Sequence, residues 1–292
     1  MKICGFTFVR NAILYDYPVV ESIRSILPVC DEVIVAVGRS TDATLELVRS
    51  IGSQKIRIIG TVWDDTLRSG GRVLAVETDK AMDHIPSEAD WALYIQADEV
   101  LHEDSHDALR AAMQRWKNDP EVEGLLFDYV HFYGSYDLVG TSRRWYRREV
   151  RVVRPGIGVR SWRDAQGFRI DGRPLRVAPA HAVMHHYGWV KPPARQQAKQ
   201  RSFNKLWHSD AWVSAHVGQA TDYDYSGIDA LARFTGTHPA PMHARVAAMD
   251  WDHALVPGTR RMKWKDRLLQ AIERMTGWRI GEYRNYRLVR RS

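Results

Sequence analysis

Trp91-Ala92-Leu93-Tyr94-Ile95-Gln96-Ala97-Asp98-Glu99 is the stretch that decides the fold. Five consecutive apolar residues are too few for a helix and suit a strand buried on both faces. Such a strand belongs in a parallel sheet covered by helices. It runs directly into two carboxylates, at the end of the sheet where α/β proteins hold their ligands. Hard divalent cations take carboxylate oxygens, and a strand end presents them on rigid backbone. On spacing alone, the same pair also suits an ordinary acidic surface turn.

Upstream, strand and helix signals alternate. Ile3 to Val9 and the purer run Glu32 to Val37 are short and rich in β-branched residues. Between them Val19, Val20, Ile23, Ile26 and Leu27 recur at helical spacing. Ser40-Thr41-Asp42 offers N-cap residues to a second helix carrying Leu47, Val48 and Ile51. A third strand fits Ile56 to Val62 and a helix fits Val73 to Met82. The polar groups after each strand are therefore the candidate ligand contacts: Arg10-Asn11, Gly38 to Asp42, Asp64-Asp65, and Gln96 to Glu99.

Downstream the pattern loosens. Leu125 to Phe132 and Val150 to Val153 read as strands, Arg151 to Gly188 as a glycine-punctuated, loop-rich region, and the chain beyond Lys191-Pro192-Pro193 as helical. Leu268, Leu269, Ile272 and Met275 form an apolar stripe near the end. The expected division is a domain over 1–190 and a basic helical extension over 191–292.

A chain of 292 residues with 45% hydrophobic and 26% charged content is ordinary for a globular protein and argues against disorder. No apolar run reaches the ~18 residues of a membrane span. Cys4 and Cys30 sit in apolar surroundings and are expected to be buried thiols, which favours a cytoplasmic setting. The net charge of +7 is uneven: from Arg260 to Ser292 eleven Lys/Arg face three Asp/Glu, leaving the other residues at −1. An anionic partner, if there is one, belongs at this tail.

The order of these features resembles the family 2 glycosyltransferases of the GT-A fold over roughly residues 1–190. The motifs that carry it are the opening strand with Phe8-Val9-Arg10-Asn11, the turn Val37-Gly38-Arg39-Ser40-Thr41-Asp42-Ala43-Thr44, and Gln96-Ala97-Asp98. The resemblance implies a three-layer α/β sandwich with a mostly parallel sheet that binds a nucleoside-diphosphate sugar and Mn²⁺ or Mg²⁺. It places Asp98 as the metal-binding carboxylate; Glu99 beside it is a candidate metal ligand that would make up for the charge Gln96 does not supply. Val9, Arg10, Asn11, Gly38, Ser40, Asp42, Thr78, Asp79, Gln96 and Ala97 fall at donor-contacting positions. Two departures stand out: Gln96 replaces a carboxylate with an uncharged amide, and Gly38 replaces the acidic residue that reads uracil.

In Met184-His185-His186-Tyr187-Gly188-Trp189 the resemblance implies a histidine metal ligand. Neighbours on extended backbone face opposite ways, so only one of the pair can serve, and His186 is favoured. Lys199 and Arg201 follow as candidates to meet the diphosphate. The implied chemistry is sugar transfer with inversion, of the kind used in bacterial surface glycan synthesis. A carboxylate takes the acceptor proton: Asp164, among aromatic residues, or Asp128, with Asp171 as a further candidate. The acceptor is a saccharide, a lipid-linked group or a protein.

Trp264 to Arg291 mixes apolar and basic residues, which suits an anionic membrane surface, packing on the catalytic domain, or a homodimer. The rival enzyme reading, a nucleotidyltransferase, expects a Gly-rich basic signature where Val9-Arg10-Asn11-Ala12 stands. A nucleic-acid-binding module would leave the strand-end carboxylates and the His pair without a role, so no nucleic acid is expected.

Overall fold

The structure is a computed structural model that describes residues 1–217, 220–251, 255–259 and 262–289. The first half follows the alternation in the sequence. Strands β1 (Ile3–Val9), β2 (Glu32–Gly38) and β3 (Ile56–Thr61) are separated by helices α1 (Val19–Ile26) and α2 (Thr44–Arg49). Helix α3 (Arg72–Met82) then leads to β4 (Trp91–Tyr94), and the four strands pair in parallel in the order β3-β2-β1-β4.

Alternation along these strands builds two cores. Ile3, Val33, Val35, Trp91 and Leu93 face α1, α2 and the later helix α4 (His106–Trp116). Cys4, Phe6, Ile34, Ala36, Ala92 and Tyr94 face α3 and strands β9 (Val159–Trp162) and β10 (Gly167–Ile170). Each strand is apolar on both sides because each side is covered. Cys4 and Cys30 are buried free thiols within these cores, and burial raises both well above the ordinary thiol range.

Beyond β4 the sheet becomes mixed. Strand β5 (Glu99–Leu101) precedes α4; β6 (Gly124–Tyr133), β7 (Ser135–Gly140) and β8 (Arg148–Val153) follow it. Strand β8 runs antiparallel to both β4 and β6. The region expected to be loop-rich is instead mostly strand: after β9 and β10, β11 (Arg173–Trp189) runs for 17 residues, parallel to β6 and antiparallel to β5. Gly156, Gly158 and Gly172 have φ of 77°, 79° and 76°, so these glycines make tight reversals between strands rather than a long loop.

From residue 191 onward the chain carries α5 (Pro193–Asn204), α6 (Asp210–His216), α7 (His243–Ala247) and α8 (Trp264–Thr276), in keeping with its helical pattern. Three short strands of this region also join the main sheet. Strand β12 (Ala230–Arg233) pairs with β7, β13 (Gly258–Thr259) with β12, and β14 (Tyr286–Leu288) runs parallel to β11. Residues 260–261 and 290–292 of the basic tail lie outside the described residues. No described helix is long and apolar enough to cross a membrane.

Candidate active site

A cleft of about 480 Å³ opens beyond the carboxyl ends of the parallel strands. Phe8, Val9 and Arg10 enter it from the end of β1, Gln96 to Asp98 from the end of β4, and His186 and Trp189 from β11. Asp164 comes from the β9–β10 turn, and Lys199, Phe203 and Trp207 from α5 and the turn after it.

The Gln96–Glu99 segment is a turn closed by the Glu99 amide donating to the Gln96 carbonyl at 3.0 Å. That turn sends the two acidic neighbours opposite ways. Asp98 enters the cleft, whereas Glu99 is fully buried behind it. Arg151 donates to Glu99 through Nε at 2.9 Å and Nη2 at 2.8 Å, and the Tyr129 hydroxyl donates at 2.8 Å. Both Glu99 oxygens are thereby engaged, which corrects its assignment as a cation ligand. Its partners make it the anchor of a buried ion pair.

The antiparallel register of β5 and β11 sets His186 opposite Glu99 and His185 opposite Val100. His186 therefore lies beside Asp98, with Nε2 3.9 Å from Oδ1. His185 turns into an aromatic cluster with Phe132, Tyr187 and Phe234, where burial lowers its imidazole to about 3. The parallel register of β6 pairs His186 with His131. His131 Nε2 sits 2.7 Å from the Tyr146 carbonyl, and its Nδ1 sits 3.0 Å from Nδ1 of His186.

These contacts decide the tautomers. A carbonyl only accepts, so His131 carries its proton on Nε2; burial holds this imidazole neutral, well below its ordinary value. Its bare Nδ1 must then accept from Nδ1–H of His186. Burial also lowers the His186 pKa, so the Nε2 lone pair is left facing the Asp98 carboxylate. Two acceptors then face one another across 3.9 Å, a spacing that a bound cation would bridge.

The other Asp98 oxygen accepts from Lys199 Nζ at 3.0 Å, and Lys199 also donates to the Gly188 carbonyl at 2.9 Å. Burial alone would raise the Asp98 carboxyl, but the adjacent Lys199 ammonium holds it well below the ordinary range. Lys191 is fully buried, donates to the Asp16 carbonyl at 2.7 Å, and shares the Tyr17 ring with Lys199 at 4.7 and 4.9 Å. Gly188 completes the cluster by what it lacks. A Cβ there would stand 2.6 Å from His186 Nε2 and 2.8 Å from Asp98 Oδ2.

A cation here would find two protein donors, Oδ1 of Asp98 and Nε2 of His186. Among the described residues no group of three or more His, Cys, Asp or Glu converges. Two donors of this type fit Mg²⁺ or Mn²⁺ where phosphate oxygens supply the remainder.

The other expected contacts divide. Arg10 lines the cleft, its guanidinium 4.2 Å from the Trp63 ring centre and paired with Asp65 at 3.1 Å. Val9, Gln96 and Ala97 also line it, and Gln96 donates to the Ala165 carbonyl at 3.3 Å. Gly38 makes room for Trp63, whose indole nitrogen would lie 2.3 Å from a Cβ placed there.

Asn11, Ser40 and Asp42 instead tie two loops together. The Asn11 side chain accepts from the Thr41 amide at 2.8 Å, and Ser40 accepts from the Asn11 amide at 3.0 Å. Asp42 accepts from the Leu14 amide at 2.7 Å and caps Thr44. Thr78 is buried against the Leu74 carbonyl, and Asp79 accepts from the Ser161 amide at 2.8 Å, burial raising its carboxyl to about 6. Arg201 donates to the Ala220 carbonyl. All six bond to backbone or neighbouring groups and stand outside the residues that line the cleft.

Of the two candidate bases, Asp164 lines the cleft and burial raises its carboxyl. Asp128 is more than half exposed and paired with Arg148 at 2.7 Å, outside the cleft-lining set, which corrects its candidacy. The sequence reading did not find Tyr17, Trp63, His131 or Lys191. Only the alternation Tyr129-Val130-His131 hinted that His131 shares a face with other polar groups.

No family model matches the chain, and no curated protein does. Among solved structures it is similar to the 1–349 portion of S. aureus TarS, at 12% identity, TM-score 0.38, 69% of this chain and 64% of that one. It is also similar to the mannosyltransferase PcManGT of Pyrobaculum calidifontis in complex with GDP-Man and Mn²⁺, at 20% identity, TM-score 0.32, 45% of this chain and 36% of that one. A third is the 4-diphosphocytidyl-2C-methyl-D-erythritol synthase of Anaerococcus prevotii, at 9% identity, TM-score 0.32, 53% of this chain and 70% of that one. The chain thus spans about two thirds or less of the two transferases. At these identities and TM-scores the likenesses are recorded without functional weight.

Proposed function

We propose that this chain is a glycosyltransferase that moves a sugar from a nucleoside-diphosphate donor to an acceptor hydroxyl, with inversion and with a divalent cation. One observation carries the reading: at the ligand-binding end of a parallel sheet, Asp98 Oδ1 and His186 Nε2 face each other across 3.9 Å, beside the Lys199 ammonium. The arrangement concentrates groups suited to a diphosphate and its cation.

Asp98 and His186 would hold the cation, which neutralises negative charge developing on the leaving diphosphate. Lys199, on α5 at the cleft wall, supplies further positive charge and can pass from Asp98 to a phosphate oxygen. Asp164 takes the proton of the acceptor hydroxyl as that oxygen bonds to the anomeric carbon and the bond to the diphosphate breaks. Its raised pKa makes it a stronger base than an ordinary carboxylate. Trp63, Phe203 and Trp207 give the cleft an aromatic wall against which a sugar or base can stack.

The test is release of nucleoside diphosphate from a panel of nucleotide sugars, with Mn²⁺, with Mg²⁺ and with a chelator. Asp98→Asn and Gly188→Ala should each lower turnover by about 10²-fold or more while the folded state persists. Asp164→Asn should lose transfer but keep nucleotide binding. Turnover indifferent to both the chelator and Asp98→Asn would overturn the reading, as would release of pyrophosphate in place of nucleoside diphosphate.

A further inference from the structure

Helix α8 docks on the rest of the protein through its polar side. Glu273 pairs with Arg143 at 2.7 Å, Arg147 at 3.2 Å and Arg279 at 3.4 Å, and Gln270 donates to the Thr141 carbonyl at 2.6 Å. The opposite side is apolar and faces solvent. Trp264, Leu268, Ala271 and Met275 stand at i, i+4, i+7 and i+11, one stripe of the helix. Trp264 is 78% exposed, Leu268 54% and Met275 79%. Trp278 and Tyr283, at 61% and 73%, follow in the chain. A monomer seldom leaves so many large apolar groups together in water without a partner.

The charges around this face select the partner. Lys263, Lys265, Arg267 and Arg274 are exposed along α8, and Arg287 is exposed on β14. Two nearby acids are neutralised by the fold: Glu273 by its three arginines and Glu282 by Arg147 and Arg284. What remains outward is an apolar stripe edged with cations, and Trp and Tyr are the aromatic types that settle at headgroup level. We propose that the α8 face docks the protein flat on an anionic lipid bilayer, with Trp264, Leu268 and Met275 entering the acyl boundary and the flanking Lys and Arg meeting lipid phosphates. A second copy on this face would bring like charges together, which disfavours a dimer there. The inference does not depend on the chemistry of the cleft.

Flotation of the full chain with vesicles tests it. The protein should rise with vesicles containing phosphatidylglycerol and remain below with phosphatidylcholine alone, and high salt should weaken the association. Leu268→Glu with Met275→Glu, and separately Lys265→Glu with Arg274→Glu, should each reduce partitioning by about tenfold or more. These side chains are exposed, so circular dichroism and unfolding midpoints should match the parent; Trp264→Ser serves as a third variant if either pair fails to fold. Equal binding to neutral vesicles, no binding to either kind, or partitioning that all the variants leave intact would overturn the proposal. So would a concentration-dependent dimer that Leu268→Glu with Met275→Glu dissolves, in the absence of vesicle binding.

Discussion

Glu149, on β8, sits almost fully buried between Gln166 Nε2 and Asn285 Nδ2, each donating to it at 2.8 Å. Burial outweighs those donors and the nearby Arg151, raising its carboxyl from 4.5 to about 7. Between those values the folded chain binds more protons than the unfolded one, so stability falls as pH rises through this window. The move corresponds to roughly 3 kcal/mol. The change in urea midpoint between pH 5 and pH 8 should therefore differ between the parent and Glu149→Gln, the variant losing less stability as pH rises; an identical change in both would show that Glu149 keeps its ordinary pKa. Nothing in Arg148-Glu149-Val150 announces this group, because its environment comes from residues 17 and 136 positions away. Asp98 and Glu99 teach the same lesson. Their position at a strand end was legible, but a single turn, together with Arg151 from a distant strand, decided which one entered the cleft.

Elements were legible wherever their periodicity was local. Strands β1 to β4 and helices α1 to α3 stand where apolar alternation and helical spacing put them. Helix α8 was also legible as a helix, but its apolar stripe did not tell which side would dock. Arg143 and Arg147, from the β7–β8 connection, capture Glu273 and turn the polar side inward. Glu273→Ala should cost about 2 kcal/mol, because it strips charged hydrogen bonds from three mostly buried arginines. A urea titration measures this, and Glu273→Gln should recover part of it. No change in the midpoint would mean that α8 is held by something other than this cluster.

At the scale of the whole molecule, the last third of the chain completes what the first two thirds begin. Beyond residue 190 it buries Lys191, Val213, Tyr225, Ile228, Leu231, Met242 and Tyr286, and it provides the α5 wall of the cleft. A chain cut after residue 190 should consequently fail to give a cooperative unfolding transition, exposing the β7 edge that β12 covers. A cooperative transition matching the full chain would show that 1–190 is autonomous. The sequence by itself determined the α/β class, the parallel quartet of strands and the placing of a carboxylate at the end of β4, since all three follow from local apolar patterning. Only the tertiary structure decided that His131 sets the tautomer of His186, that Lys199 reaches Asp98 across 101 residues, and that Gly188 clears the space between them. Those outcomes depend on strand register and on chain segments distant in sequence, and no local pattern encodes either.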